Sequence, residues 1–177
     1  MSNADLILGV DPGYSGALAW YDCRNHRLVH VTPMPLKPET GSAAELFGAA
    51  KPASGGGRSV VDGDELAREI RASGPLRAVV MEHVASSPKM GVTSAFRFGQ
   101  GFGVLQGVLA ALGHTPRLVY PNVWKTSLNL SSDKSKSTAA AITLFPEWSD
   151  TFRRGAKSAD LAEAALIAYY GRVFVAK

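Results

Sequence analysis

The sequence predicts an α/β fold: a mixed β-sheet whose first three strands run antiparallel and whose later strands run parallel, with helices on both faces. Three observations predict it. Short apolar runs follow one another before any helical pattern begins, later apolar runs alternate with helix-length segments, and 177 residues suffice for one domain. With 46% hydrophobic and 19% charged residues, the chain can bury enough apolar surface to offset its conformational entropy. We therefore expect one domain over residues 1–177, without internal repeats.

Residues 5–10 (DLILGV) read as a buried strand ending at the turn signal Asp11-Pro12-Gly13. GALAWY (16–21) and RLVHVT (27–32), around a polar DCRNH turn, complete a three-stranded antiparallel meander. From Pro33 to Gly63 the composition shifts to Pro, Gly, Ala and Ser, which predicts a flexible insertion at about 37–63. Asp62 or Asp64 can cap a helix over ELAREIRAS, stopped by Gly74-Pro75, and residues 77–82 (RAVVME) give the next buried strand. An apolar helix over 93–112, a strand at 117–121 and a helix over 133–145 before Pro146 follow. The last helix runs over about 158–170.

The single cysteine, Cys23, has no disulfide partner and lacks the spaced Cys and His residues of a zinc site, which suits a reducing cytoplasm. The longest uncharged stretch, between Arg97 and Arg117, holds five glycines, two glutamines and His114, a poor bilayer span. The N-terminus has no basic region and meets Asp5 early, which argues against a secretory signal. A cytoplasmic protein without a membrane partner is expected. The net charge of +4 is localised: seven bases and three acids between Arg117 and Lys157 account for all of it. Such a field suits either a polyanion-binding surface or a solvated basic face.

The most informative residues are acids placed where the hydrophobic pattern stops. Asp11 follows LILGV and Glu82 follows AVVM, so each carboxylate belongs at the C-terminal end of a buried strand, where open α/β sheets place ligands. Asp160 and Glu163 are three apart, on one face of the last helix. Singly, each acid is explained as a turn residue, a cap or a complement to the helix dipole. Together, four carboxylates converging in space would repel one another unless hard divalent cations bridged them. Mg²⁺ is the expected occupant, two per site, with Mn²⁺ as a substitute and no organic cofactor. Two such ions about 4 Å apart activate a water and stabilise the leaving 3′ oxygen in phosphodiester hydrolysis.

The ordered blocks LILGVDPGYSGALAW, VVMEHV, SAFRFGQGFGVLQGVLAALG, VWKTSLNL, DKSKSTAAAITLFP and ADLAEAALIA resemble RuvC-type Holliday junction resolvases of the RNase H-like superfamily, nearest to the short branch common in phage genomes. The resemblance runs from Leu6 to Gly171 and omits the insertion. It implies an RNase H-like sheet and a catalytic, metal-binding set of Asp11, Glu82, Asp160 and Glu163. It also implies a homodimer that binds four-way DNA and nicks two strands symmetrically. Lys125 and Lys134 or Lys136 fall where relatives place bases against the DNA backbone. Lys89, Arg97, Arg153, Arg154 and Lys157 complete the DNA-binding candidates.

Two departures stand out. Glu163 occupies a position where many relatives have Asp, which lengthens the arm. The segment after Glu82 lacks the aromatic that some relatives wedge into the crossover; Met90 and Phe96 are the nearest substitutes, although such residues beside a helix start are ordinarily core. His83, next to Glu82 on a strand, should point to the opposite face. Gly99, Gly103 and Gly107 line one face of the long helix, which implies close packing against the sheet or, preferably, against a partner subunit.

Three other readings are weighed. An actin-like or sugar-kinase-like ATP-binding protein, suggested by DPGYSG, needs two facing domains, and the chain has room for one. Another structure-selective nuclease, acting on branched DNA or RNA, shares the same metal chemistry. A protein that binds junctions without cutting has no need of four acids near phosphate.

Overall fold

In the computed structural model, residues 5–39, 58–85 and 90–175 are described. Their five-stranded sheet comprises β1 (Leu6–Asp11), β2 (Ala17–Asp22), β3 (Arg27–Pro33), β6 (Leu76–Glu82) and β7 (Arg117–Val119), in the spatial order β3-β2-β1-β6-β7. The β1–β2 and β2–β3 pairs are antiparallel, and β1–β6 and β6–β7 are parallel. This is the mixed sheet expected, and its topology matches an RNase H-like fold. Burial on both faces explains why β1 and β6 read as continuous apolar runs.

One face carries α1 (Gly63–Ala72) and α2 (Val92–Ala111), which pack through Leu66, Ile70, Leu105 and Leu109 onto Leu8, Val10, Leu18, Trp20 and Met81. The other carries α3 (Pro121–Ser127), α4 (Lys134–Leu144), α5 (Ser149–Arg153) and α6 (Ser158–Tyr170). Trp124, Ala141, Phe145, Phe152 and the whole length of α6 enclose Ile7, Ala17, Ala19 and Val80 there. Asp62, rather than Asp64, caps α1, accepting from the amides of Asp64 and Glu65.

Three local expectations need correction. The segment at 33–63 is not loose throughout: β4 (Leu36–Pro38) pairs antiparallel with β5 (Ser59–Val61), and Met34 and Val61 are buried in the core. Residues 40–57, the heart of the predicted insertion, lie outside the described residues. The strand expected at 117–121 stops at Val119, because Pro121 occupies the first turn of α3, a position that suits its fixed φ and missing amide hydrogen. The third concerns the glycines of α2. Among the described residues, a Cβ added at Gly99, Gly103 or Gly107 would meet nothing within 4 Å, which sets aside the sheet-packing alternative and not the partner-subunit one. They form a solvent-facing stripe with Val92 and Phe96, the latter 74% exposed rather than core.

The position of α6 is set by a backbone contact. A Cβ on Gly9 would lie 2.3 Å from the Ala168 nitrogen and 2.5 Å from the Ala164 carbonyl oxygen, so the helix rests directly on β1 only because residue 9 has no side chain. Two residues along a strand and four along a helix both advance about 6–7 Å. Moving from Gly9 to Asp11 and from Ala164 back to Asp160 therefore brings two carboxylates to the same place.

A candidate metal centre at the strand ends

Asp11, Asp160 and Glu163 each offer a carboxylate oxygen within 4.8 Å of the others. Asp11 ends β1 and is half-buried, whereas Asp160 and Glu163, at 8% and 6% exposure, are the buried acids of the first two turns of α6. The turn after Asp11 is held tight: the Gly16 amide donates to the Gly13 carbonyl, and a Cβ on Gly16 would lie 2.1 Å from the Asp11 carbonyl oxygen. Glu82 ends the neighbouring parallel strand on the same sheet face, outside the tight trio, and its Oε2 accepts from Trp124 Nε1 at 2.8 Å.

Burial lifts the Asp11 carboxyl well above the usual carboxylate range, and the charges of Glu82, Glu163 and Asp160 push it further. Burial also raises Glu82, with Glu163 adding to the effect while the Trp124 hydrogen bond opposes it. This is the electrostatic signature of a site short of positive charge. Part of that charge comes from two lysines. Lys125 Nζ lies 2.6 Å from Glu163 Oε1; Lys134 Nζ lies 2.7 Å from Asp160 Oδ1 and 3.8 Å from Glu163 Oε2. The hydrogen bond to Asp160 raises the Lys134 pKa. Ser137, fully buried on α4, donates to Glu163 Oε1 at 3.2 Å.

Three members of this site, Trp124, Ser137 and the inward aim of Lys125, were not read from the sequence. Pro121 is compatible with a helix start, but no local pattern sets the direction of Trp124 or Lys125. Ser137 lay within a predicted helix, but nothing local marked it as a partner of an acid on another helix.

The other basic candidates are dispersed. Lys136, Arg153 and Arg154 are exposed, and Arg154 faces Asp150 at 3.7 Å. Lys157 Nζ approaches the Tyr14 carbonyl oxygen at 3.5 Å. Arg97 spans two elements: its guanidinium stacks over the Tyr14 ring at 4.8 Å and donates to the Ser59 carbonyl at 2.7 Å. Lys89 lies outside the described residues. The His83 ring packs against Tyr120 with centroids 4.3 Å apart. Among the described residues, no helix is long and apolar enough to cross a membrane.

The donor set fits hard divalent ions: oxygen ligands only, close-set and net negative, with no thiolate or imidazole in the cluster.

No protein-family model matches the chain, and no curated protein matches it significantly. Solved structures do. Thermus thermophilus RuvC in complex with a Holliday junction substrate aligns over 96% of both chains with a TM-score of 0.59 at 16% identity. A further Thermus thermophilus RuvC structure aligns over 96% of both chains with a TM-score of 0.61 at 16% identity. The fowlpox virus Holliday junction resolvase aligns over 96% of this chain and 99% of its own, with a TM-score of 0.50 at 15% identity. At such identities the likeness is one of architecture: the chain has the RNase H-like fold that these resolvases share, with an acid cluster at the ends of its central strands.

Proposed function

We propose that the protein is a divalent-metal-dependent endonuclease that cuts four-way DNA junctions symmetrically, working as a homodimer inside the cell. The observation that carries the reading is the meeting of Asp11, Asp160 and Glu163, distant in sequence, within 4.8 Å on an RNase H-like sheet. Two Mg²⁺ ions, with Mn²⁺ as a substitute, would supply an activated water and stabilise the leaving oxygen of a phosphodiester.

The chain's own residues prepare that chemistry. Asp11, Asp160 and Glu163, with Glu82 beside them, would hold the ions. Trp124 fixes the Glu82 carboxylate, while Ser137 and Lys125 fix Glu163, so the oxygens are placed before a ligand arrives. Lys136, Arg153, Arg154 and Lys157, in the C-terminal third that carries the net charge, supply phosphate contacts, and Arg97 and Lys89 are proposed as further ones. The dimer is supported by the exposed stripe of Val92, Phe96, Gly99, Gly103 and Gly107. Two active sites related by a two-fold axis suit paired incisions on a symmetric junction.

Incubation with four-way, three-way and linear DNA, and with an RNA–DNA hybrid, with and without Mg²⁺, tests the reading. We expect Mg²⁺-dependent, paired nicks in the four-way substrate. Cutting confined to the hybrid would replace the reading with an RNA-processing one, and no cutting of any substrate would remove it.

A further inference from the structure

We propose that Lys134 is an exchangeable counter-cation of the acid centre: it ties Asp160 to Glu163 until a divalent ion enters, and is then released outward toward nucleic-acid phosphate. This rests on the metal-centre reading above and adds a means of regulating it.

The two lysines at the site are held differently. Lys125 Nζ sits 2.6 Å from Glu163, its side chain only 12% exposed and its ammonium over the Trp124 ring at 5.1 Å, so it is a resident charge with little freedom to leave. Lys134 is the first residue of α4, its side chain is 57% exposed, and only its ammonium reaches into the cluster. That ammonium lies on the carboxylates of the pair that, with Asp11, makes the close trio.

A divalent ion ligated by the same carboxylates at about 2.0–2.1 Å would place two positive charges beside the ammonium, and repulsion is poorly screened in a part-buried site. Of the groups present, Lys134 is free to yield, because its four-carbon stem is flexible and one side is open to solvent. Its helix start stays anchored without it, since Asp133 accepts from the Ser135 amide at 2.9 Å. Swung outward, Lys134 presents its ammonium to solvent at the first turn of α4. Metal loading therefore adds one charge to the nucleic-acid surface, and by linkage nucleic acid favours the metal-loaded state.

The test is titration of the protein with Mn²⁺ in the absence of nucleic acid, read from the electron paramagnetic resonance of the free ion. We expect Lys134→Ala to bind Mn²⁺ about tenfold more tightly than wild type, a difference of about 1.4 kcal/mol, and Lys134→Arg to stay near wild type. Circular-dichroism melting should show Lys134→Ala folded, with a larger metal-induced rise in Tm than wild type. In parallel, the salt dependence of four-way DNA binding is compared with and without Ca²⁺. Wild type should gain about one phosphate contact in slope on adding the ion, and Lys134→Ala none. Equal or weaker Mn²⁺ binding by Lys134→Ala, or an equal gain in slope, overturns the inference while leaving the metal centre standing. A wild-type protein that binds no Mn²⁺ overturns both, which separates the two failures.

Discussion

Asp11 is held well above the usual carboxylate range by burial and by its acidic neighbours, and that burden has a sign that can be measured. Because burial and neighbouring acids raise its pKa, the folded protein keeps a proton that the unfolded chain gives up near the ordinary carboxylate range. Between those two pKa values the folded state binds more protons, so stability without metal falls as pH rises through that window. Asp11→Asn removes the cost: its Tm at neutral pH, without metal, should exceed that of wild type, while its Mg²⁺-dependent cleavage is lost. Equal melting of the two at neutral pH would contradict the strain assigned to this carboxyl. The same proton must leave before Asp11 can ligate, so metal affinity should climb with pH. Trp124→Phe takes the donor from Glu82 and should raise the Glu82 pKa further, moving the rise in metal affinity to higher pH. It should also cost about 1.5–3 kcal/mol, the range for a hydrogen bond to a charged group, as measured by urea melting.

Among the elements, α6 and α2 make opposite uses of glycine. Gly9→Ala would push a methyl into the backbone of α6, and overpacking of this kind costs about 1–3 kcal/mol. The helix must lift from β1, carrying Asp160 and Glu163 away from Asp11, so a lower Tm and weaker metal binding should appear together. Gly103→Ala meets nothing within 4 Å among the described residues and removes a helix penalty of about 1 kcal/mol. A monomer would simply be stabilised; if the stripe is a subunit interface, light scattering should instead show dissociation at lower dilution. This contrast also shows what the sequence could disclose. The strands were legible because burial on both faces writes continuous apolar runs, and Asp11 and Glu82 were legible because each ends such a run. The short helix α3 was hidden because Tyr120-Pro121 reads as well as a strand end as it does as a helix start. The pairing of Lys125 with Glu163 depends on packing between two helices 38 residues apart, which no local pattern records. Glycine spacing on α2 disclosed a bare face but not its direction, which only the placement of Leu105 and Leu109 decides.

For the whole molecule, the net charge of +4 and its location permit a polyanionic partner without demanding one. Lys136→Ala and Arg153→Ala should each weaken four-way DNA binding and shallow its salt dependence by about one unit of slope, as lost phosphate contacts do. Unchanged slopes would make them solvated bystanders. The small β4–β5 pair adds an architectural consequence. Pro38 and Ser59 are register partners, so the two described ends that flank residues 40–57 lie about one interstrand spacing apart. Two posts so close can be joined by a connection of almost any length without moving either. Splicing a two-residue hairpin or a reporter peptide there should leave the sheet and its acids undisturbed, making this the natural port for evolution or an engineer to fit the protein with a new appendage.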